Sequence, residues 1–104
     1  MFVSRFAQQT RLISTKGNAD KLVAKFLAAA DLQRDNGACE LMLVAKSESD
    51  ENVVYVTEVW SGESAWKEAR RSKAVTAWAR DIPALVAEWP PSTRLTRIGG
   101  KGIK

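Results

Sequence analysis

Hydrophobic and polar residues alternate with two different periods along the chain, and each change of period marks a predicted element. The segment FAQQTRLIS, residues 6–14, alternates loosely and predicts a first strand. The segment ADKLVAKFLAAADLQRD then follows a helical period, and we predict a helix that begins near Asn18 as N-cap and stops at Asn36 and Gly37. Its apolar face comprises Leu22, Val23, Phe26, Leu27 and Ala30.

The middle of the chain predicts an antiparallel pair of strands. The segment ACELMLVAK, residues 38–46, is short, apolar and rich enough in branched side chains for a strand. The segment VVYVTEVW, residues 53–60, has the composition of a strand throughout. Because the hydrophilic loop SESDEN separates the two segments, we expect them to pair as a hairpin.

The second half of the chain predicts a second helical region and a last strand. Ser61 and Ser72 are candidate N-caps, and Pro83 must end, kink or restart the helix that follows them. The segment STRLTRI, residues 92–98, suits an edge strand, and we expect the tail of residues 99–104 to be flexible. The apolar face of this second helix comprises Val75, Trp78, Ile82 and Leu85.

This order of elements, in a chain of 104 residues, predicts one α+β domain over residues 1–104. We expect the ferredoxin-like βαββαβ arrangement, a four-stranded antiparallel sheet with two helices on one face. The third strand is apolar on both sides, so the face that the helices leave uncovered needs a partner. We therefore predict a homodimer with sheet packed on sheet. The two faces of that strand carry Val54, Val56 and Trp60 on one side and Val53, Tyr55 and Val59 on the other.

Histidine is absent from the sequence and cysteine occurs once, as Cys39. The commonest general base, the commonest metal ligand and the usual haem ligand are therefore missing, and histidine-based catalytic triads are excluded. The acidic residues do not have the spacing of a calcium loop. We expect no metal, no cofactor and a buried structural role for the cysteine.

The chain carries a formal net charge of +4, but acidic residues interrupt the basic ones, so we expect no nucleic-acid partner. Arg70, Arg71 and Arg80 could bind an acidic substrate, although a solvated surface is the simpler interpretation. The start of the sequence lacks the apolar core of a signal peptide, and no apolar run approaches the ~20 residues that span a bilayer. We therefore expect a cytoplasmic protein with no membrane partner.

The run EVWSGESAWKEARRS, residues 58–72, resembles the core motif of the antibiotic biosynthesis monooxygenase domain family. That motif reads Glu, any residue, Trp, then a small helix with an acidic residue, an alanine and a later serine. The segments KGNADKLVAKF and NGACELML resemble two further parts of the family pattern, and the similarity covers about residues 10–90. The residues that match the core motif in order are Glu58, Trp60, Glu63 or Ser64, Ala65 and Ser72.

The resemblance implies a dimeric α+β barrel and, in the better known members, cofactor-free oxygenation of polycyclic phenols or quinols by O₂. Such a site needs an enclosed, mostly apolar cavity with a few polar groups that deprotonate the phenol or hold its anion. The sequence departs from the pattern at two places. Ala69 stands where many members have a histidine, and Val56 stands where some have an asparagine.

Glu58 and Trp60 are the candidate catalytic residues. Glu58 could be the general base for a phenol, and a structural carboxylate paired with an arginine or with the amides of the second helix is an equal alternative. Trp60 could stack on a planar substrate and donate its N–H to an oxygen, although an indole on an apolar strand face more often serves packing. The candidate substrate-binding residues are Trp66, Val56, Phe26 and Trp78.

Two functions follow from these residues. The first is a cofactor-independent monooxygenase that acts on a small hydrophobic aromatic ligand of the quinol or phenol type. The second is a non-catalytic dimeric α+β barrel that binds a small hydrophobic ligand or a protein partner. The departures at Val56 and Ala69 favour the second function.

Overall fold

The computed structural model describes residues 5–102, which form one antiparallel sheet and a layer of helices. The five strands are β1 (Phe6–Ser14), β2 (Cys39–Lys46), β3 (Val53–Trp60), β4 (Val86–Glu88) and β5 (Thr93–Leu95). The helices are α1 (Ala19–Leu32), α2 (Glu63–Arg70) and α3 (Lys73–Ala79), and a short 3-10 helix follows at Ile82–Leu85.

The sheet has β1 and β3 at its centre, with β2 on the far side of β3. The β1–β3 pairing runs without interruption from Phe6 opposite Trp60 to Ile13 opposite Val53. On its other side β1 pairs with both β4 and β5, each over a few residues. The predicted α+β class and antiparallel sheet are therefore confirmed.

The described part of the sheet has five strands where the sequence predicted four. Two short strands, β4 and β5, share the position beside β1 that one predicted edge strand was to occupy. Pro90 and Pro91 lie between them. Because proline has no backbone N–H to donate, this pair of residues interrupts the hydrogen-bond ladder.

The second helical region also differs from its prediction. The helix that begins at Lys73 ends at Ala79, and Pro83 sits at the start of the 3-10 helix, where its missing N–H breaks no helical hydrogen bond. Ser72 caps α3 as predicted, since its Oγ accepts a hydrogen bond from the backbone N–H of Val75 at 3.2 Å. The N-cap of α2 is Gly62 rather than Ser61.

The ends of α1 deviate slightly from the sequence prediction. Asn18 occupies the N-cap position, but its side chain donates to Thr15 Oγ1 at 2.7 Å instead of capping the helix. The helix ends at Leu32, with Gln33 as C-cap, before the predicted stop. Asn36 and Gly37 form the turn that leads into β2, so they lie beyond the helix instead of ending it.

A buried cluster between α1 and the sheet forms the core. Leu22 and Phe26 of α1 face the sheet as predicted, whereas Leu27 is 55% exposed. The helices cover the sheet face that bears Val54, Val56 and Trp60. The buried members of the cluster are Leu12, Leu22, Phe26, Val54, Val56 and Ile82.

The opposite face of the sheet lies open in the single chain. Leu43 and Leu95 on this face are 54% and 47% exposed, and Tyr55 is half-buried. Within residues 5–102, the helices are too short or too polar to cross a membrane.

The two leucines of α1 provide a test of how this helix is oriented. Leu22 is fully buried, so Leu22→Ala should lower the free energy of unfolding by about 2–5 kcal/mol through lost contacts and a residual cavity. Leu27→Ala removes the same atoms from an exposed position and should change it by less than about 0.5 kcal/mol. Urea denaturation of both variants measures the difference, and equal losses would contradict the observed helix face.

Candidate functional site

A cavity of about 420 Å³ lies between the helix layer and the sheet. Its wall includes residues of β1, β2, β3 and all three α-helices, and residues from the segment between β4 and β5. We call it the inter-layer cavity. The structure brings all six residues selected from the sequence together at its lining: Glu58, Trp60, Trp66, Val56, Phe26 and Trp78.

Glu58 is the only acidic residue among the described residues that line the cavity. The side chain is 9% exposed and both of its oxygens accept hydrogen bonds. Gln8 Nε2 donates to Oε2 at 2.8 Å, and Trp60 Nε1 donates to Oε1 at 3.2 Å. Because each carboxylate oxygen has two lone-pair sites, each oxygen retains the capacity to accept one further hydrogen bond.

These partners differ from those that the sequence suggested for a structural Glu58. The sequence favoured an arginine or the backbone amides of the second helix, and the structure provides Gln8 and Trp60 instead. Gln8 lies directly opposite Glu58 in the β1–β3 register, and Trp60 follows Glu58 by two residues on the same strand face. Regular strand geometry alone therefore assembles the three side chains.

Trp60 is a wall of the cavity and a support for Glu58. The residue is 2% exposed, and it lies opposite Phe6 in the sheet register. Its indole N–H, the only donor of the side chain, is donated to Glu58, so the predicted donation to a substrate oxygen would require this bond to break. The ring face is the part of Trp60 that can contact a planar ligand.

A second polar pair includes Thr10, two residues after Gln8 on the same face of β1. Thr10 Oγ1 and Ser92 Oγ are 2.6 Å apart, and both residues line the cavity. Ser92 follows Pro91 in the segment between β4 and β5, where the edge of the sheet is interrupted. Thr10 lies directly opposite Val56, so β1 supplies a hydroxyl group at the level where β3 supplies only an apolar side chain.

Sequence reasoning missed Gln8, Thr10, Ser92 and Trp89 as lining residues. A signal for two of them was present, because Gln8 and Thr10 interrupt the apolar face that Phe6 and Leu12 begin and end. Buried polar side chains at successive inward positions of a central strand depart from an apolar core and therefore call for a specific explanation. No local pattern marks Ser92 or Trp89.

Trp78 is held in the cavity wall by α1. Its ring packs edge-on against Phe26, with centroids 5.1 Å apart and planes at 74°. Its Nε1 donates to the backbone carbonyl of Lys25, and Lys25 Nζ also forms an ion pair with Asp81 at 2.6 Å. This ion pair lowers the pKa of Asp81 through its hydrogen bond from Lys25.

Trp66 forms the other aromatic wall, on α2. Its ring centroid is 4.8 Å from that of Phe6, with the planes tilted by 35°. The guanidinium group of Arg70 lies 5.1 Å from the centroid of Trp66 and also lines the cavity. The cavity is thus bounded by rings that can stack on a planar ligand, with one basic group beside them.

The lining offers hydrogen-bonding groups and aromatic faces rather than metal ligands. In the part of the chain from residue 5 to residue 102, no three His, Cys, Asp or Glu side chains gather where they could hold a metal ion. Cys39 is half-buried and lies opposite Trp60 in the β2–β3 register. Burial raises the pKa of the Cys39 thiol, and the negative charge of Glu58 raises it further.

Cys39 can therefore report on the charge of Glu58. The Glu58→Gln substitution removes a negative charge near the thiol, which should lower its pKa and increase the thiolate fraction at pH 8. We expect iodoacetamide to alkylate the variant faster than the wild type, as measured by mass spectrometry over a pH series. Glu48→Gln, an exposed change in the β2–β3 loop, is the matched control. An alkylation rate unchanged by Glu58→Gln would mean that this carboxylate does not act on the thiol as a charge.

Crystal structures with the same fold come from several bacteria. A protein of Chloroflexus aurantiacus J-10-fl, provisionally named an antibiotic biosynthesis monooxygenase, superposes with a TM-score of 0.87 at 23% identity, over 97% of this chain and 100% of that one. A similarly named protein of Caulobacter crescentus CB15 gives a TM-score of 0.84 at 19% identity, over 94% of this chain and 93% of that one. A third protein with a similar name, from Deinococcus radiodurans, gives a TM-score of 0.79 at 20% identity, over 95% of this chain and 98% of that one.

These identities are low, so the superpositions demonstrate a common fold and no more. No match was found among curated proteins. The family model described as antibiotic biosynthesis monooxygenase matches residues 5–81, a range that includes β1, β3 and the three α-helices around the cavity. The chain therefore belongs to the antibiotic biosynthesis monooxygenase family.

Proposed function

We propose that the protein is a cofactor-independent monooxygenase that oxygenates a small hydroxylated aromatic molecule with O₂. The observation that carries the proposal is Glu58, a buried carboxylate fixed by two hydrogen bonds in a cavity with aromatic walls. A cavity of about 420 Å³ lies within the ~300–1,000 Å³ range of small-molecule sites.

Glu58 is the proposed general base. A phenolic hydroxyl that enters the cavity can donate to either carboxylate oxygen, and its proton then passes to that oxygen. The resulting phenolate is electron-rich enough to reduce O₂. One oxygen atom forms a bond to a ring carbon, the other leaves as water with the phenolic proton and the displaced ring hydrogen, and the product is a quinone. All electrons come from the aromatic substrate.

Gln8 and Trp60 are the proposed positioning residues for Glu58. Their two donated hydrogen bonds hold the carboxylate in one orientation, so that its remaining lone pairs are directed to a fixed place. Thr10 and Ser92 provide further hydroxyl groups on the same side of the cavity. These groups supply polar contacts to a substrate oxygen although position 56 is valine.

Oxygen consumption tests the proposed base. With a panel of quinols, anthrones and naphthols, we expect Glu58→Gln to lower the enzyme-dependent rate about 10²–10⁴-fold, because the amide cannot accept the proton. Glu68→Gln, an exposed change on α2, should leave the rate unchanged. Product formation must also stop without O₂. A substrate that the wild type and Glu58→Gln oxidise equally fast would rule out this role for Glu58.

A second candidate function, ligand binding without turnover, is favoured by one observation. Val56 and Ala69 both line the cavity, at the positions where the family resemblance places an asparagine and a histidine. Tryptophan fluorescence separates the two candidates, because three indoles besides Trp60 border the same cavity. Saturable quenching by aromatic ligands, with no O₂ consumption across the panel, would support binding alone.

We further propose that two copies of the chain pair through the open face of the sheet. Leu43, Tyr55 and Leu95 lie on that face, and a stable interface needs about 800 Å² from each partner. Gln9 and Arg11 lie exposed on the same face, and a second copy of the chain is the simplest partner that could cover its exposed leucines.

A charge in the open face tests the proposed homodimer. Leu43→Asp should convert the dimer to a monomer in sedimentation equilibrium, because the carboxylate would be buried without a partner. Leu27→Asp introduces the same charge on the exposed side of α1 and should leave the dimer intact. A monomeric wild type at micromolar concentration, or a dimeric Leu43→Asp variant, would refute this interface.

A further inference from the structure

The two charged side chains that line the inter-layer cavity differ in their exposure to solvent. Glu58 is the acidic group and is 9% exposed, whereas Arg70 is the basic group among the described lining residues and belongs to the exposed end of α2. A ligand that fills the cavity therefore meets one buried negative charge and one solvated positive charge.

Arg70 is oriented by Trp66 rather than by an acidic side chain. Its guanidinium group lies 5.1 Å from the ring centroid of Trp66, a distance typical of a cation–π contact. Within residues 5–102 it forms no ion pair. The side-chain N–H groups of Arg70 have no acceptor among the described residues, so they can bind a planar anion with two hydrogen bonds.

Arg94 shows the contrasting arrangement nearby. Its guanidinium group lies 5.0 Å from the ring of Phe6 and 6.0 Å from that of Trp66, but it is paired with Glu63. Arg94 is also absent from the cavity lining. Two arginines contact the Trp66 ring. Only Arg70 both lines the cavity and has guanidinium N–H groups that are not paired with an acidic side chain among the described residues.

We propose that the substrate is a hydroxylated aromatic acid, whose carboxylate is bound by Arg70 while its hydroxyl group faces Glu58. This inference rests on the proposed function, since it names the substrate class of the same site. The opposite orientation would place an anion against the buried Glu58 carboxylate, where like charges repel strongly in a low dielectric. Charge thus selects both the class of ligand and the orientation in which it is bound.

Arg71 provides a control that separates substrate binding by Arg70 from the stabilisation of α2 by a basic residue. Arg70 and Arg71 both lie at the C-terminal end of α2, where a positive charge interacts favourably with the helix dipole and stabilises the helix. Arg71 does not line the cavity. A role in helix stability alone would make the two arginines equivalent, whereas a role in substrate binding concerns Arg70 alone.

Isothermal titration calorimetry with two probes tests the inference. The probes are 6-hydroxy-2-naphthoate and the neutral 2-naphthol, at pH 7 and low salt. We expect the naphthoate to bind the wild type about tenfold more tightly than naphthol, and Arg70→Gln to remove that difference without weakening naphthol. Arg71→Gln should bind both probes like the wild type. Arg70→Lys keeps the charge but not the planar fork, so it should retain part of the preference.

Other results would overturn the inference. These are equal affinities of the wild type for the two probes, equal effects of Arg70→Gln and Arg71→Gln on naphthoate binding, or the absence of binding by both probes. The preference for naphthoate must also decrease as salt is raised, because Arg70 is exposed to solvent. If naphthol binds and is oxidised but naphthoate has no advantage, the substrate class is wrong while the monooxygenase proposal stands.

Discussion

The hydrogen bond between Gln8 and Glu58 across the two central strands is the interaction on which the site depends. A carboxylate buried between a sheet and a helix layer is costly unless its oxygens have donors, and the donors come from Gln8 and Trp60. Both donors are placed by strand register. A shift of one residue between β1 and β3 would turn Gln8 to the open face and leave Glu58 without its partner. The apolar pairs on either side, Leu12 with Val54 and Phe6 with Trp60, resist such a shift because each would lose its buried surroundings.

Much of the site could be predicted because its residues share a local period. Strand alternation alone puts Val56, Glu58 and Trp60 on one face of β3, and the helical period of α1 puts Phe26 toward the sheet. Their meeting at one cavity then follows from helices that cover that face. Gln8 and Thr10 could not be assigned in the same way. Their importance depends on which residues of β3 lie opposite them, and register is set by contacts far apart in sequence.

The second half of the chain was harder to predict because three prolines override its helical period. The apolar spacing continues to Leu85, but Pro83 begins a 3-10 helix and the chain then extends as β4. Pro90 and Pro91 interrupt the edge of the sheet and leave residues 89–92 without strand partners. Trp89 and Ser92 contribute to the cavity because of that interruption. The two prolines predict that the strand is interrupted. The direction in which Trp89 and Ser92 point depends on the packing of the folded chain.

The valine at position 56 illustrates how one strand of a pair can place a polar group beside a position where the other strand has none. Residues directly opposite each other in an antiparallel pair have Cβ atoms about 4.5–5.5 Å apart and point to the same face. Thr10, opposite Val56, can therefore place a hydroxyl group within about one side-chain length of the place where an asparagine at position 56 would place its amide. Ser92 fixes that hydroxyl, as Gln8 fixes Glu58 one step along the strand. A family motif written along β3 specifies the cavity face, but the polar groups on that face belong to β1 and β3 together. The valine at position 56 is therefore a weaker argument against catalysis than the motif along β3 alone would suggest.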